Sequence, residues 1–183
     1  MKEQQNRAVL VALIKSLRAK GSWCGETHIQ KAAFFLKNLT GVPIDFEFIL
    51  YKHGPFSFEL SDELSVMKAY ELLDMEVTYP YGPKIVATDM GNALQERFPK
   101  TSAQYAKQVA FIAEKLGDKG VVDLERLATA YYVTMEKPDS SIEERATAIV
   151  ELKPHILPES ARQAVLDVDA FIAQVREEKL RAA

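Results

Sequence analysis

Cys24 and His28 lie four residues apart with Glu26 between them, and His53 is the next histidine along the chain. Thiol, imidazole and carboxylate in one neighbourhood raise two chemistries, a zinc site and a cysteine nucleophile with a histidine base. The chain holds one cysteine and three histidines. A structural zinc site takes four ligands at tight spacing, which a Cys-x-x-x-His pair without a second pair does not supply. Cysteine nucleophiles also work beside an oxyanion element, and the sequence shows none. The plainer reading, a half-buried thiol and a histidine beside a helix cap, is preferred. Acid pairs such as Asp62–Glu63 fall on an exposed helix face, where they solvate rather than act as general acid and base. The sequence assigns no catalytic residue, no metal and no cofactor.

Other residues are suited to binding. His53-Gly54-Pro55-Phe56 sets a titratable donor next to a turn that exposes backbone groups. Glycine and proline are also what a plain strand-to-helix corner requires. Tyr79, Tyr81 and Lys84 fall near a hairpin tip, to meet a partner or to pack back on the third helix. Lys15, Arg18, Lys20, Lys31 and Lys37 form a basic set on the first two helices, the better surface for nucleic acid if any is bound.

These residues need elements to position them. Val9, Leu10, Leu13, Ile14 and Leu17 make one helical stripe over residues 6–20. Thr27 and Gln30 have capping-box spacing before a second helix carrying Ile29, Ala32, Ala33, Leu36 and Leu39. Phe46, Phe48 and Leu50 alternate with Glu47, Ile49 and Tyr51, which predicts a strand broken by Gly54-Pro55, with Ser57 as N-cap of a third helix over 58–73. Two β-prone runs, 75–79 and 84–88, flank a four-residue tip, and Thr88 or Asp89 caps a fourth helix. This order is that of a winged-helix domain, expected over residues 1–99. Pro99 to Ser102 reads as a linker into an all-helical half, 100–183, either a separate domain or an extension of the same core. The fold class expected is therefore mostly α with a small β component.

Hydrophobic content of 48% and charged content of 27% fit an ordinary globular protein. The polar start and the interruption of the first apolar run by Lys15 and Arg18 argue against a signal peptide or spanning helix, so a cytoplasmic location is expected. The net charge of −3 hides an asymmetry. Residues 1–39 hold seven Lys or Arg against two acids, and residues 40–80 two against eight. Opposed faces of this kind favour oriented association with a protein. The third helix carries Glu59, Asp62, Glu63 and Glu71 against Lys68, which disfavours docking into a DNA groove.

The stretches HIQKAAFFL (28–36) and ILYKHGPFS (49–57) resemble a bacterial family of YwgA-like proteins, and DLERLATA (123–130) and LKPH (152–155) extend the resemblance into the second half. The first half is also distantly similar to the Panacea domain of antitoxins and adaptor proteins, which has a Lys-rich second helix and a Tyr-x-x-Gly-Pro segment. The resemblance implies a non-enzymatic regulatory, adaptor or antitoxin-like protein that binds a protein or nucleic acid, and it supplies no catalytic residue.

Overall fold

The computed structural model describes residues 1–80 and 82–182. Among them the order is α1 (Glu3–Ala19), α2 (Glu26–Asn38), β1 (Ile49–Tyr51), β2 (Gly54–Phe56), α3 (Phe58–Ala69), β3 (Leu73–Glu76), β4 (Lys84–Ala87), α4 (Asp89–Glu96), α5 (Pro99–Leu116), α6 (Val121–Glu136), α7 (Ile142–Leu152) and α8 (Pro158–Glu177). The protein is mostly α with a small β part, two separate two-stranded antiparallel sheets.

The apolar stripe of α1 is buried from Val9 to Leu17, as its spacing requires. In α2 every residue from His28 to Leu36 is buried, so this helix runs through the middle of the molecule rather than along its surface. Its N-cap is Gly25, not Thr27. The Gln30 amide has a different use: Oε1 accepts from Ser57 N and Nε2 donates to Ser57 O, both at 2.9 Å. An amide side chain satisfies both backbone polar groups of a buried residue in this way, which would otherwise cost free energy.

The predicted strand is shorter than expected, and the Gly-Pro segment is not a simple corner. Gly54 to Phe56 form β2 and pair back on β1, with Ile49 opposite Phe56 and Tyr51 opposite Gly54. Gly54 has φ +84°, so the Lys52–His53 turn closes through a left-handed residue, the arrangement of a bulged hairpin loop. A proline in a three-residue strand lowers its β signal, which is why the pairing was not visible in the sequence. The expected alternation holds: Phe46 is buried, and Glu47, Ile49 and Tyr51 are exposed. Ser57 then caps α3, its hydroxyl accepting from Leu60 N at 3.2 Å, and Thr88 caps α4 through Gly91 N at 3.1 Å.

Residues 99–102 are not a linker. Pro99 opens α5 directly, because its fixed φ and missing N–H suit the first helical position. From there α5 packs along α1 and α2, α6 packs on α2 and β2, and α7 and α8 pack on α6. The apolar core runs through these elements without a break, from Leu10 and Phe35 to Tyr131 and Val168. No helix among the described residues is long and apolar enough to cross a membrane.

Candidate functional site

The first hairpin stands on a buried polar knot. Lys31 of α2 is 2% exposed, and its ammonium donates to Pro55 O at 2.9 Å. Lys153, just past α7, is also buried and donates to the carbonyls of Tyr51, at 2.6 Å, and Lys52. All three acceptors belong to the hairpin. The counter-charge is Glu125 of α6, 7% exposed. Its Oε1 lies 3.2 Å from His155 Nε2 and 3.9 Å from Lys153 Nζ, and its Oε2 lies 3.7 Å from His53 Nδ1. Glu125 Oε1 and Thr129 Oγ1 are both buried without a hydrogen-bond partner among the described residues, so the Lys153 contact is one of charge alone. Burial pushes the Lys31 pKa down to about 8, with Glu125 opposing the shift and Lys153 adding to it.

Two ammoniums around one carboxylate do not make a cation site, and their donors are turned to backbone carbonyls. The knot fixes the hairpin in place. A Cβ built on Gly54 would stand 3.1 Å from Thr129 Oγ1 and 3.5 Å from Glu125 O, so the hairpin backbone lies directly against α6.

What the knot holds up is an exposed aromatic surface. Tyr51, Phe56 and Phe58 pack their rings pairwise, with centroids 5.9 Å apart for Tyr51–Phe56, 5.6 Å for Tyr51–Phe58 and 5.1 Å for Phe56–Phe58. Ile49 is 51% exposed, Tyr51 45% and Phe58 54%. Edge-to-face packing of this kind orders the rings before any partner arrives. Carboxylates border them. Glu59 follows Phe58 and accepts from Glu47 N at 2.8 Å, and Asp62, one helical turn beyond Phe58, is exposed.

The residues singled out from sequence separate into different places. His53 is exposed in the turn, Gly54 and Pro55 are buried beneath it, and Phe56 belongs to the aromatic surface. Tyr81 lies outside the described residues. Lys84 sets its ammonium 4.1 Å from the centre of the Trp23 ring, so it packs back on the protein. The basic set is not one face. Lys31 is internal. Arg18 Nη2 lies 3.5 Å from Glu76 Oε2, Lys37 pairs with Glu47 at 3.0 Å, and Lys15 donates to Gln95 at 3.1 Å, leaving Lys20 exposed. With Arg7 on Glu63 at 2.5 Å, much of the charge asymmetry along the chain is spent inside the molecule, between the segments that carry it.

Cys24, His28 and His53 do not converge. The Cys24 thiol is buried, 3.8 Å from Ile14 O, and burial pushes its pKa up to about 12. Such a thiol is no thiolate nucleophile. His28 Nε2 donates to Lys119 O at 2.9 Å, and burial lowers its pKa. Among the described residues no group of three or more His, Cys, Asp or Glu side chains is arranged for a metal ion. A cleft of about 680 Å³ lined by Trp23, His28 and Gly120 opens nearby. It faces the first turns of α2 and α6, where Glu26 and Asp123 already complement the helix dipoles.

Glu125, Thr129, Lys153 and His155 were missed as site residues, and neither their types nor their spacing along the sequence marks them out. No family model matches the chain, and no curated protein matches it.

Proposed function

We propose that this protein is a non-enzymatic regulatory or adaptor protein that holds a protein partner on the surface formed by the first hairpin and the start of α3, within a winged-helix-like N-terminal half. One observation carries the reading: Ile49, Tyr51 and Phe58 stand exposed around the half-buried Phe56 ring, on the start of α3 and a hairpin whose backbone is pinned from within by two buried lysines. Aromatic side chains grouped in one patch and already ordered are what protein interfaces use as hot spots, because little conformational entropy is lost on docking. Binding nucleic acid through Lys15, Arg18, Lys20, Lys31 and Lys37 has less support. Of the five, Lys31 is buried and Arg18 and Lys37 already face carboxylates.

The test is capture from an extract of the native host, with and without nuclease, by the wild-type chain and by the Tyr51→Ser, Phe58→Ser double variant. Both side chains are substantially exposed, so the variant is expected to melt close to wild type. A protein retained after nuclease by wild type and lost by the variant supports the reading. Retention by both, or loss on nuclease treatment, overturns it.

A further inference from the structure

The chemistry of the partner can be read from the charges left over around the aromatic surface, an inference that rests on the docking role just proposed. Of the eight acids in residues 40–80, Glu47, Glu63 and Glu76 face Lys37, Arg7 and Arg18 of the same chain. Glu59 and Asp62, which border Phe58, have no ion pair among the described residues. Glu47 is 84% exposed at its side chain, so its pair with Lys37 remains open to solvent and weak. Against these carboxylates the described residues of the hairpin offer one lysine, Lys52, exposed in the turn.

We propose that the hairpin surface receives a cationic segment of a protein, one that presents Arg or Lys beside an apolar side chain. Three aromatic rings offer negative π faces and edges of apolar area. An Arg guanidinium or Lys ammonium over a ring gains from its quadrupole, and a carboxylate within reach adds a charge-assisted hydrogen bond. An acidic segment or a nucleic acid backbone would meet Glu59 and Asp62 instead and be repelled. The rigid mounting matters here too, because a cation–π contact is directional and a hairpin free to rock would blur it.

The experiment places a benzophenone photocrosslinker at Ser65, an exposed position two helical turns from Phe58 on the same face of α3, and irradiates the chain in an extract of the native host. Crosslinked segments are sequenced by mass spectrometry. The expected result is a protein segment with a net positive charge, whose yield falls at least tenfold both in Phe58→Ser and in the double charge reversal Glu59→Lys, Asp62→Lys. If Phe58→Ser removes the crosslink while the charge reversal leaves it unchanged or strengthens it, docking on the hairpin stands and the cationic assignment is overturned. If neither variant changes the yield, or no protein is crosslinked, the hairpin reading fails with it. A crosslink to nucleic acid, to an acidic segment or to a second copy of this chain also overturns the assignment.

Discussion

The two hairpins, a short one over 49–56 and a longer one over 73–87, differ in how they are held. The first is set into the body. Gly54 and Pro55 are buried, and Lys31 of α2 and Lys153 just past α7 reach up to bind its carbonyls. The second is held by apolar side chains and by contacts to the segment after α1. Ile85 N donates to Cys24 O at 2.9 Å, Trp23 Nε1 donates to Gly82 O at 3.0 Å, and Lys84 covers the Trp23 ring. Leu73 and Ile85 of this hairpin are buried in the core, while Val77 and Tyr79 nearer its tip point to water, 80% and 95% exposed. Both hairpins therefore display apolar side chains and both reach the core, but only the first is also held by buried ammoniums on its carbonyls. Exposure alone is a weak sign of function. Exposure on a scaffold stabilised by buried charge is a stronger one, since the charge would be costly to keep there for no purpose.

The comparison predicts unequal responses to substitution. The largest concerns Glu125. Removing it by Glu125→Ala leaves two buried ammoniums without their counter-charge, and a loss of about 3–5 kcal/mol of unfolding free energy is expected in denaturant melts. A loss below about 1 kcal/mol would show that the ammoniums are screened by solvent and that the knot is no anchor.

The next effect is one of pH. Lys31 releases its proton near pH 8 in the folded chain, and in the unfolded chain only near its ordinary value of 10.5. Between those values the unfolded state binds more protons, so this group's contribution to stability rises with pH, by up to about 3 kcal/mol. Tyr131 acts in the opposite direction, since burial raises its pKa to about 12 and its contribution is lost above its unfolded value near 10. Comparing wild type with Lys31→Met across pH 7–10.5 cancels the tyrosine. The difference should move in favour of wild type as pH rises, and a flat difference would place the Lys31 ammonium in contact with water.

Gly54→Ala should cost about 2 kcal/mol, from the positive φ and from the Cβ pressed against Thr129, and it should also weaken partner capture because the rings ride on the same backbone. His53→Ala, by contrast, removes an exposed side chain and should act mainly on binding. An unchanged midpoint for Gly54→Ala would mean that the turn relaxes without strain. At the second hairpin, Tyr79→Ser should shift stability by no more than about 0.5 kcal/mol and leave capture intact. If it abolishes capture instead, the roles assigned to the two hairpins are reversed.

Much of the architecture was legible in the sequence because helices and their caps are local. The stripe of α1, the Ser57 and Thr88 caps and the alternation at 46–51 depend on residues within a turn or two of one another. Gly54 and Pro55 also announced themselves, since few residues fit a left-handed turn. What these residues pack against was not legible. The Gly-Pro segment reads equally well as a corner or as a strand, and only the register with β1 decides between them. Lys31 looks like every surface lysine, and a 3.6-residue period places it on a face without saying whether that face is covered. Glu125 and Lys153 lie far from it along the chain, in α6 and just past α7, among ordinary charged residues. Their meeting depends on α6 and the end of α7 being folded over α2, an arrangement set by the burial of the whole core. The sequence by itself thus determined the elements and their punctuation. The tertiary structure alone decided which charges are buried and which cancel one another, because both depend on distances between residues that no local pattern encodes.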